Sequence, residues 1–166
     1  MSGTFESVID HVTATLRQPP ASTLAKFPAA RAGFLRHAGE RRGSRFELEQ
    51  MVGQDRVFEV DIESRRVEPV QLGGVAPSGY TVSLPVIVRY EGRGPMDRQR
   101  TLLKIASDQE FIVDALSVSN WSSIAKLVTF LAEIGGVRRF ELVDDQNGKE
   151  YEGFLSEVVI TASYDL

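Results

Sequence analysis

The stretch Gly79–Tyr90 constrains the fold more than any other part of the sequence. Its even positions are all apolar or aromatic, whereas Thr81, Ser83 and Arg89 lie between them. This period of two predicts a long strand with one buried face. Pro85 lacks an amide proton, so we expect it at a sheet edge or at a bulge. The chain is therefore expected to fold around this strand.

A helix is predicted at the start of the chain. Apolar residues recur at helical spacing from Phe5 to Leu16, and Ser2 or Thr4 could cap the first turn. The helix should end at Arg17, because Pro19 and Pro20 cannot continue it.

Two further helices are predicted after the long strand. Asp97 is placed to cap the first of them, and Ser122 the second. The expected buried stripes are Leu102, Ile105, Ala106, Ile112 and Leu116 in the first, and Ile124, Leu127, Val128, Leu131 and Ile134 in the second. Gly135 and Gly136 would provide the helix exit.

The remaining strands complete a sheet. Alternation predicts strands over residues 45–52 and 56–64, and residues 68–79 are rich in turn formers. Strands over 137–143 and 154–164 flank Asn147-Gly148, a strong hairpin signal. We therefore predict a single α+β domain spanning 1–166, with one mixed, mostly antiparallel sheet and helices packed on one face. A C-terminal β-hairpin and a long basic loop complete this fold.

The charge of the chain is unevenly distributed. Residues 26–45 hold six basic residues and one acidic residue, a net +5, whereas the whole chain is −4 and the remainder therefore −9. We expect residues 19–44 to form a mobile or interface loop, and a short helix over 29–37 is compatible with the pattern. A solvated polar loop without a partner is the alternative.

No pattern of catalytic residues stands out. The chain has no cysteine, its two histidines, His11 and His37, are expected on the surface, and neither a G-x-S-x-G elbow nor a phosphate-binding loop is present. We therefore expect no enzyme, no cofactor and no metal, although a mechanism that uses only carboxylates stays open. No apolar run of about 18 residues and no leader peptide is visible, so neither a membrane span nor secretion is expected.

Charged residues are the candidates for an interaction site. Two basic clusters could face phosphates of packaged DNA or the acidic surface of a neighbouring subunit, and the acidic residues around the hairpin turn could oppose them. The basic candidates are Arg31, Arg36, Arg41, Arg42, Arg45, Arg93, Arg98 and Arg100. The acidic candidates are Asp144, Asp145, Glu150 and Glu152.

The order of elements resembles a known family. A short amphipathic helix leads through a basic loop to strands, then to the long strand containing Val-Ile-Val-Arg-Tyr-Glu, a helix and a terminal hairpin ending Ile-Thr-Ala-Ser-Tyr-Asp-Leu. This pattern is similar to the minor tail or tail-terminator proteins of long-tailed phages, which are small α+β proteins that cap the tail tube.

The resemblance implies an assembly protein without catalytic residues. It implies a ring of this chain, with six copies as in the family, that binds tail-tube subunits and offers a docking surface to head-completion proteins. The expected location is the virion tail or the cytoplasm of a lysogenic host. A neck or head-completion protein, a tail-tube protein and a small α+β ligand-binding domain are the alternatives.

Overall fold

A single sheet with helices on one face forms the structure, a computed structural model. The described residues are 3–28, 33–36, 55–71, 73–74, 76–92, 95–143 and 146–166. The helices are α1 (Thr4–Arg17), α2 (Ala21–Lys26) and α3 (Arg98–Val118), and 3-10 turns lie at Pro95–Asp97 and Trp121–Ser123. The strands are β1 (Leu35–Arg36), β2 (Val57–Val60), β3 (Arg66–Val70), β4 (Gly79–Gly92), β5 (Leu127–Val143) and β6 (Glu150–Asp165).

The sheet has six strands in the order β1-β2-β4-β6-β5, with β3 paired to β4 beside β2. Within the described ranges β1 and β2 run parallel, and the other neighbouring pairs are antiparallel. The prediction of an α+β fold with a mixed, mostly antiparallel sheet is confirmed. Among the helices of the described ranges, none has the length and apolar character that crossing a membrane requires.

The predicted long strand is β4, the centre of the sheet. It pairs with β6 from Gly79 to Gly92 without a register shift, and its other side pairs first with β3 and then with β2. Pro85 lies between the stretches that face β3 and β2, where its carbonyl accepts a hydrogen bond from the Asp61 amide at 2.9 Å. The proline is therefore tolerated at a change of partner strand. We expected it at a sheet edge or at a bulge, but the pairing of β4 with β6 has no register shift there.

The prediction of one buried face is wrong for the second half of β4. Ile87 is 1% exposed and Arg89 is 0% exposed, although both lie on the face expected to be polar. Ile87 packs with Val57, Phe140 and Leu155 in a second apolar cluster. Alternation could not reveal this cluster, because its members come from four different strands.

Two of the predicted helices supply the cover of the main core. α1 runs to Arg17 as predicted and buries Val8, Val12 and Leu16. Gly3 is the N-cap residue of α1 and makes no side-chain cap, so the expected cap by Thr4 is wrong. Asp97 is the N-cap residue of α3, as predicted, but its side chain makes no capping hydrogen bond.

The buried stripe of α3 is rotated relative to the prediction. Ile105, Ile112 and Leu116 are buried as expected, whereas Leu102 and Ala106 are exposed. Asp108 and Gln109 take their place among the buried residues of the helix. Polar contacts between α3 and the sheet account for this rotation. Gln109, for example, donates to the Glu157 carbonyl oxygen at 3.1 Å.

The third predicted helix does not exist, because this segment begins β5. Ser122 belongs to a 3-10 turn, and the strand starts at Leu127 and continues through Gly135 and Gly136. Phe130 and Ala132 are the buried residues of this half of β5, two positions apart, as a strand requires. The apolar spacing happened to fit a helical period as well, and pairing with β6 decides the outcome.

The smaller differences concern segment ends. The strand predicted over 56–64 is confirmed only for Val57–Val60, and the turn-rich connection 68–79 contains most of β3. Leu35–Arg36 is a strand, so the end of the suggested helix over 29–37 is wrong, and α2 lies in the expected loop 19–44. The terminal hairpin is confirmed, with β6 starting at Glu150. The strand predicted over 45–52 lies outside the described residues.

Candidate interaction surfaces

The predicted interface residues fall into two groups. Arg31, Arg41, Arg42, Arg45, Arg93, Asp144 and Asp145 lie outside the described residues, as does the side chain of Arg36. Arg98 and Arg100 open α3, and Glu150 and Glu152 open β6. Of these four, Arg98 and Glu152 are in contact, whereas Arg100 and Glu150 are exposed.

Arg98 and Glu152 form a two-pronged ion pair. The Arg98 Nε and Nη2 atoms donate to the two Glu152 carboxylate oxygens at 2.7 and 3.1 Å, and Arg139 Nη1 lies 3.6 Å from Oε1. The hydrogen bond from Arg98 is the main cause that lowers the pKa of Glu152. Since the Glu152 side chain is only 10% exposed, it is engaged within the chain and offers little to a neighbour.

A buried charged cluster joins α3 to the sheet beside this pair. Arg56 Nε donates to Asp108 Oδ2 at 2.9 Å, and the Tyr90 hydroxyl donates to the same oxygen at 2.9 Å. Burial, followed by the charge of Asp108, raises the pKa of Tyr90 well above its ordinary value. The Arg56 guanidinium also lies 4.1 Å from the centre of the Phe34 ring. The Asp108 carboxylate therefore binds residues at the start of β2 and in β4, and Arg56 in turn contacts Phe34, which directly precedes β1.

Sequence reasoning missed this cluster, although a signal was present. Asp108 follows Ile105 by three residues and precedes Ile112 by four, which places it on the buried side of α3. The structure adds a feature that the sequence could not show: Arg56 has a φ of +56°, a left-handed backbone conformation that is uncommon outside glycine. An acidic residue on an apolar stripe should have indicated a buried partner.

Hydrogen bonds also hold the described residues that lie before and after positions 37–54. Lys104 Nζ donates to Asp55 Oδ2 at 2.5 Å, and the other Asp55 oxygen accepts from the Glu91 amide at 3.3 Å. On the entry side, the Phe34 amide donates to the Leu16 carbonyl oxygen at 2.8 Å. Phe34 and Asp55, which are described on either side of this gap, are therefore held by hydrogen bonds to the rest of the domain.

Arg89 supports the far face of the sheet. Its guanidinium lies 5.3 Å from the centre of the Phe140 ring, and burial is the main cause that lowers its pKa. Phe140 in turn covers Gly153 so closely that a Cβ at that position would meet the ring. These contacts close the second apolar cluster.

His11 is not the surface residue that we expected. It is half-buried, lies 2.8 Å through Nε2 from the Ser119 hydroxyl, and packs edge-on against Phe130. Burial lowers its pKa. His37 lies outside the described residues, and the described part of the chain contains no cluster of three or more residues able to hold a metal ion.

In the described chain, more of the exposed large apolar residues lie on β5 than on any other element. β5 ends the strand order, and no strand of the described ranges pairs with it on the side away from β6. Its exposed apolar residues are Val128, Leu131, Ile134, Val137 and Val143. Natural sheets usually protect such edges, so a long apolar edge points to a binding partner. We call this surface the β5 edge.

Comparisons with known proteins identify no relative. No protein-family model matches the sequence, and no curated protein matches it. The functional argument therefore starts from the β5 edge, the charged residues and the element order.

Proposed function

We propose that this protein is a structural assembly protein of a phage or prophage tail that acts by binding other chains. Its specific role would be that of a ring-forming tail terminator, which caps the tail tube and mediates head–tail joining. Its place would be the virion tail, or the host cytoplasm before assembly. The observation that carries the proposal is the β5 edge.

The β5 edge favours association over chemistry. Leu131 and Ile134 are 52% and 54% exposed on a strand of seventeen residues. Unpaired backbone groups and apolar side chains together form a template on which a second protein can add a strand. An assembly protein has a reason to keep such an edge, because it must bind partners in a fixed register.

The element order adds support. An amphipathic helix, the segment holding the basic residues, the long strand, a helix and a terminal hairpin follow one another in the chain. This is the order on which the resemblance to tail terminators rests, and the chain ends in the strand with the matching Ile160–Leu166 sequence.

Ring closure needs two different complementary patches on each subunit. The segment 26–45 carries +5, and the hairpin around Glu150 carries acidic residues. Lys26 is already engaged, because its Nζ atom lies 2.6 Å from Asp114 Oδ1. We therefore assign the contact to Arg41 and Arg42 on one subunit and to the acidic hairpin of the next.

Where a tail-tube gene neighbours the gene of this chain, the test is a binding assay between the two proteins. We expect the chain to be retained by tube polymers, to stop their elongation, and to form rings on their ends in negative-stain images. Replacing Arg41 and Arg42 by Glu should weaken ring formation, whereas Arg66→Glu, an exposed arginine on β3 that is not an interface candidate, is the control. Tubes that neither bind the chain nor stop growing would contradict the proposal.

A further inference from the structure

The residues of the β5 edge on either side of Gly135-Gly136 are complementary to themselves when the sequence is reversed. Starting between Gly135 and Gly136 and counting outwards, Ile134 corresponds to Val137, and Glu133 corresponds to Arg138. Further out, Leu131 corresponds to Phe140, and Val128 to Val143. At these four position pairs apolar residues meet apolar residues and an acidic residue meets a basic one, whereas Ala132 corresponds to Arg139, Phe130 to Glu141 and Thr129 to Leu142.

We propose that the β5 edges of two copies of this chain pair antiparallel about a twofold axis between Gly135 and Gly136. A twofold contact uses the same surface on both copies, so its sequence must be complementary to its own reverse. Next to the axis, β5 meets this requirement in hydrophobicity through Ile134 and Val137, and in charge through Glu133 and Arg138.

The geometry of β5 makes this register possible. Glu133 faces Val159 of β6, and Arg138 faces Leu155, two β6 residues that lie on the same face because they are four positions apart. In a regular strand, residues 133 and 138 would lie on opposite faces, since they are five positions apart. The register shift between Ile134 and Val137 adds one residue to β5 and brings them to the same face.

The bulge also leaves space for a second backbone at the proposed twofold axis. A Cβ at Gly135 would lie 3.0 Å from Glu157 atoms, so this glycine belongs to the contact with β6. A Cβ at Gly136 would meet nothing within 4 Å. The second glycine therefore allows the backbone of another copy to approach closely, and the extra residues of the two bulges would lie opposite each other.

The apolar residues along the edge provide the driving force. Ile134 and Val137 are 54% and 43% exposed beside the axis, and each copy contributes both of them. In antiparallel pairing these side chains would meet across the new strand pair, where burial of apolar surface stabilises association. Glu133 and Arg138 would then fix the register of the two strands. A pairing shifted by one residue would turn apolar side chains to the opposite face of the sheet, and other shifts would separate Glu133 from Arg138.

This contact goes beyond the proposed ring and is separate from it. A ring with any number of subunits closes through head-to-tail contacts between two different patches, whereas the β5 contact joins the same patch of two copies. The resulting pair would have twice the 18.4 kDa mass of the chain.

Disulfide trapping tests the register, since the natural chain has no cysteine. Glu133→Cys and Arg138→Cys are made as separate variants, mixed and oxidised. Residues directly opposite in antiparallel strands are about 4.5–5.5 Å apart between Cα atoms, which suits a disulfide. Two copies of the same variant would place their cysteines roughly 17 Å apart, too far to bond.

We expect the mixture to give a disulfide-linked dimer and each variant alone to stay largely monomeric on a non-reducing gel. Leu103→Cys on α3, mixed with Arg138→Cys, is the control and should not cross-link.

Sedimentation of Ile134→Lys should show at least a tenfold weaker dimer than wild type, with Leu103→Lys unchanged. Equal cross-linking by each variant alone, or a wild-type chain that is monomeric at all concentrations, would overturn the inference. Rings on tube ends without the mixed cross-link would overturn this inference alone, and the mixed cross-link without tube binding would overturn only the tail role.

Discussion

β4 and β5 pair with the same strand, β6, yet they differ in almost every other respect. β4 keeps one register from Gly79 to Gly92 and is buried along most of its length, whereas β5 has two register shifts and exposes most of its side chains. The difference shows that one sheet can combine a strand that holds the fold together with a strand that is available to other chains. Substitutions in β4 and its contacts should therefore affect stability, and substitutions in β5 should affect association.

The largest effect is expected where β4 meets the buried charged cluster. Asp108→Ala removes the buried carboxylate that accepts hydrogen bonds from the Arg56 guanidinium and from the Tyr90 hydroxyl. We expect a loss of about 3–5 kcal/mol in the free energy of unfolding, measured by urea denaturation. Tyr90→Phe, which removes one hydroxyl, is the control and should cost only about 1–2 kcal/mol. A similar small loss for both variants would contradict the assignment of the cluster to the core.

Two leucines compare the strands directly. Leu84 of β4 is 1% exposed, and Leu131 of β5 is 52% exposed. Leu84→Ala should reduce the free energy of unfolding by about 2–5 kcal/mol, because it leaves a cavity. Leu131→Ala should change it by about 0.5 kcal/mol or less, measured at concentrations where the chain is monomeric. Equal losses would mean that the β5 edge is part of the core.

The two glycines of the β5 bulge offer a finer comparison. Gly135→Ala should destabilise the monomer by about 1 kcal/mol, since the new methyl group crowds Glu157. Gly136→Ala meets open space and should leave the unfolding midpoint almost unchanged. Thermal or urea unfolding of both variants at low concentration measures the difference, and the reverse order of stability would contradict the placement of the bulge.

The smallest effect concerns Glu152 and pH. Its pKa is lowered in the folded chain, chiefly by the hydrogen bond from Arg98, so its contribution to stability is present above the unfolded-state pKa of 4.5. The contribution is lost as pH falls through the lower folded-state pKa. We expect Glu152→Gln to lose less stability than wild type over this acidic range, in urea titrations at several pH values. Parallel pH profiles for the two proteins would contradict the pairing with Arg98.

The sequence predicted the parts of the fold whose periodicity has a single interpretation. β4 and α1 follow periods of two and 3.6 closely, and Asn147-Gly148 correctly indicated the terminal hairpin. The first half of β5 was mispredicted because Leu127, Leu131 and Ile134 recur at helical spacing, whereas the residues that become buried, Phe130 and Ala132, are two positions apart. Only β6, which lies later in the chain, decides between them.

The candidate surfaces were harder to predict, for a physical reason. Charge content alone cannot distinguish Glu152, which is paired within the chain, from Glu150, which is exposed. The β5 edge could not be predicted from a segment interpreted as a helix. Strand order depends on contacts between residues far apart in the chain, and no local pattern records it.

Amide hydrogen exchange at two protein concentrations tests the central claim that the β5 edge is a binding surface for another copy. We predict that the outward amides of β5 around Gly135 exchange more slowly as concentration rises, whereas the amides of β4 keep the same protection. Protection of β5 that does not change over the whole concentration range would contradict the claim.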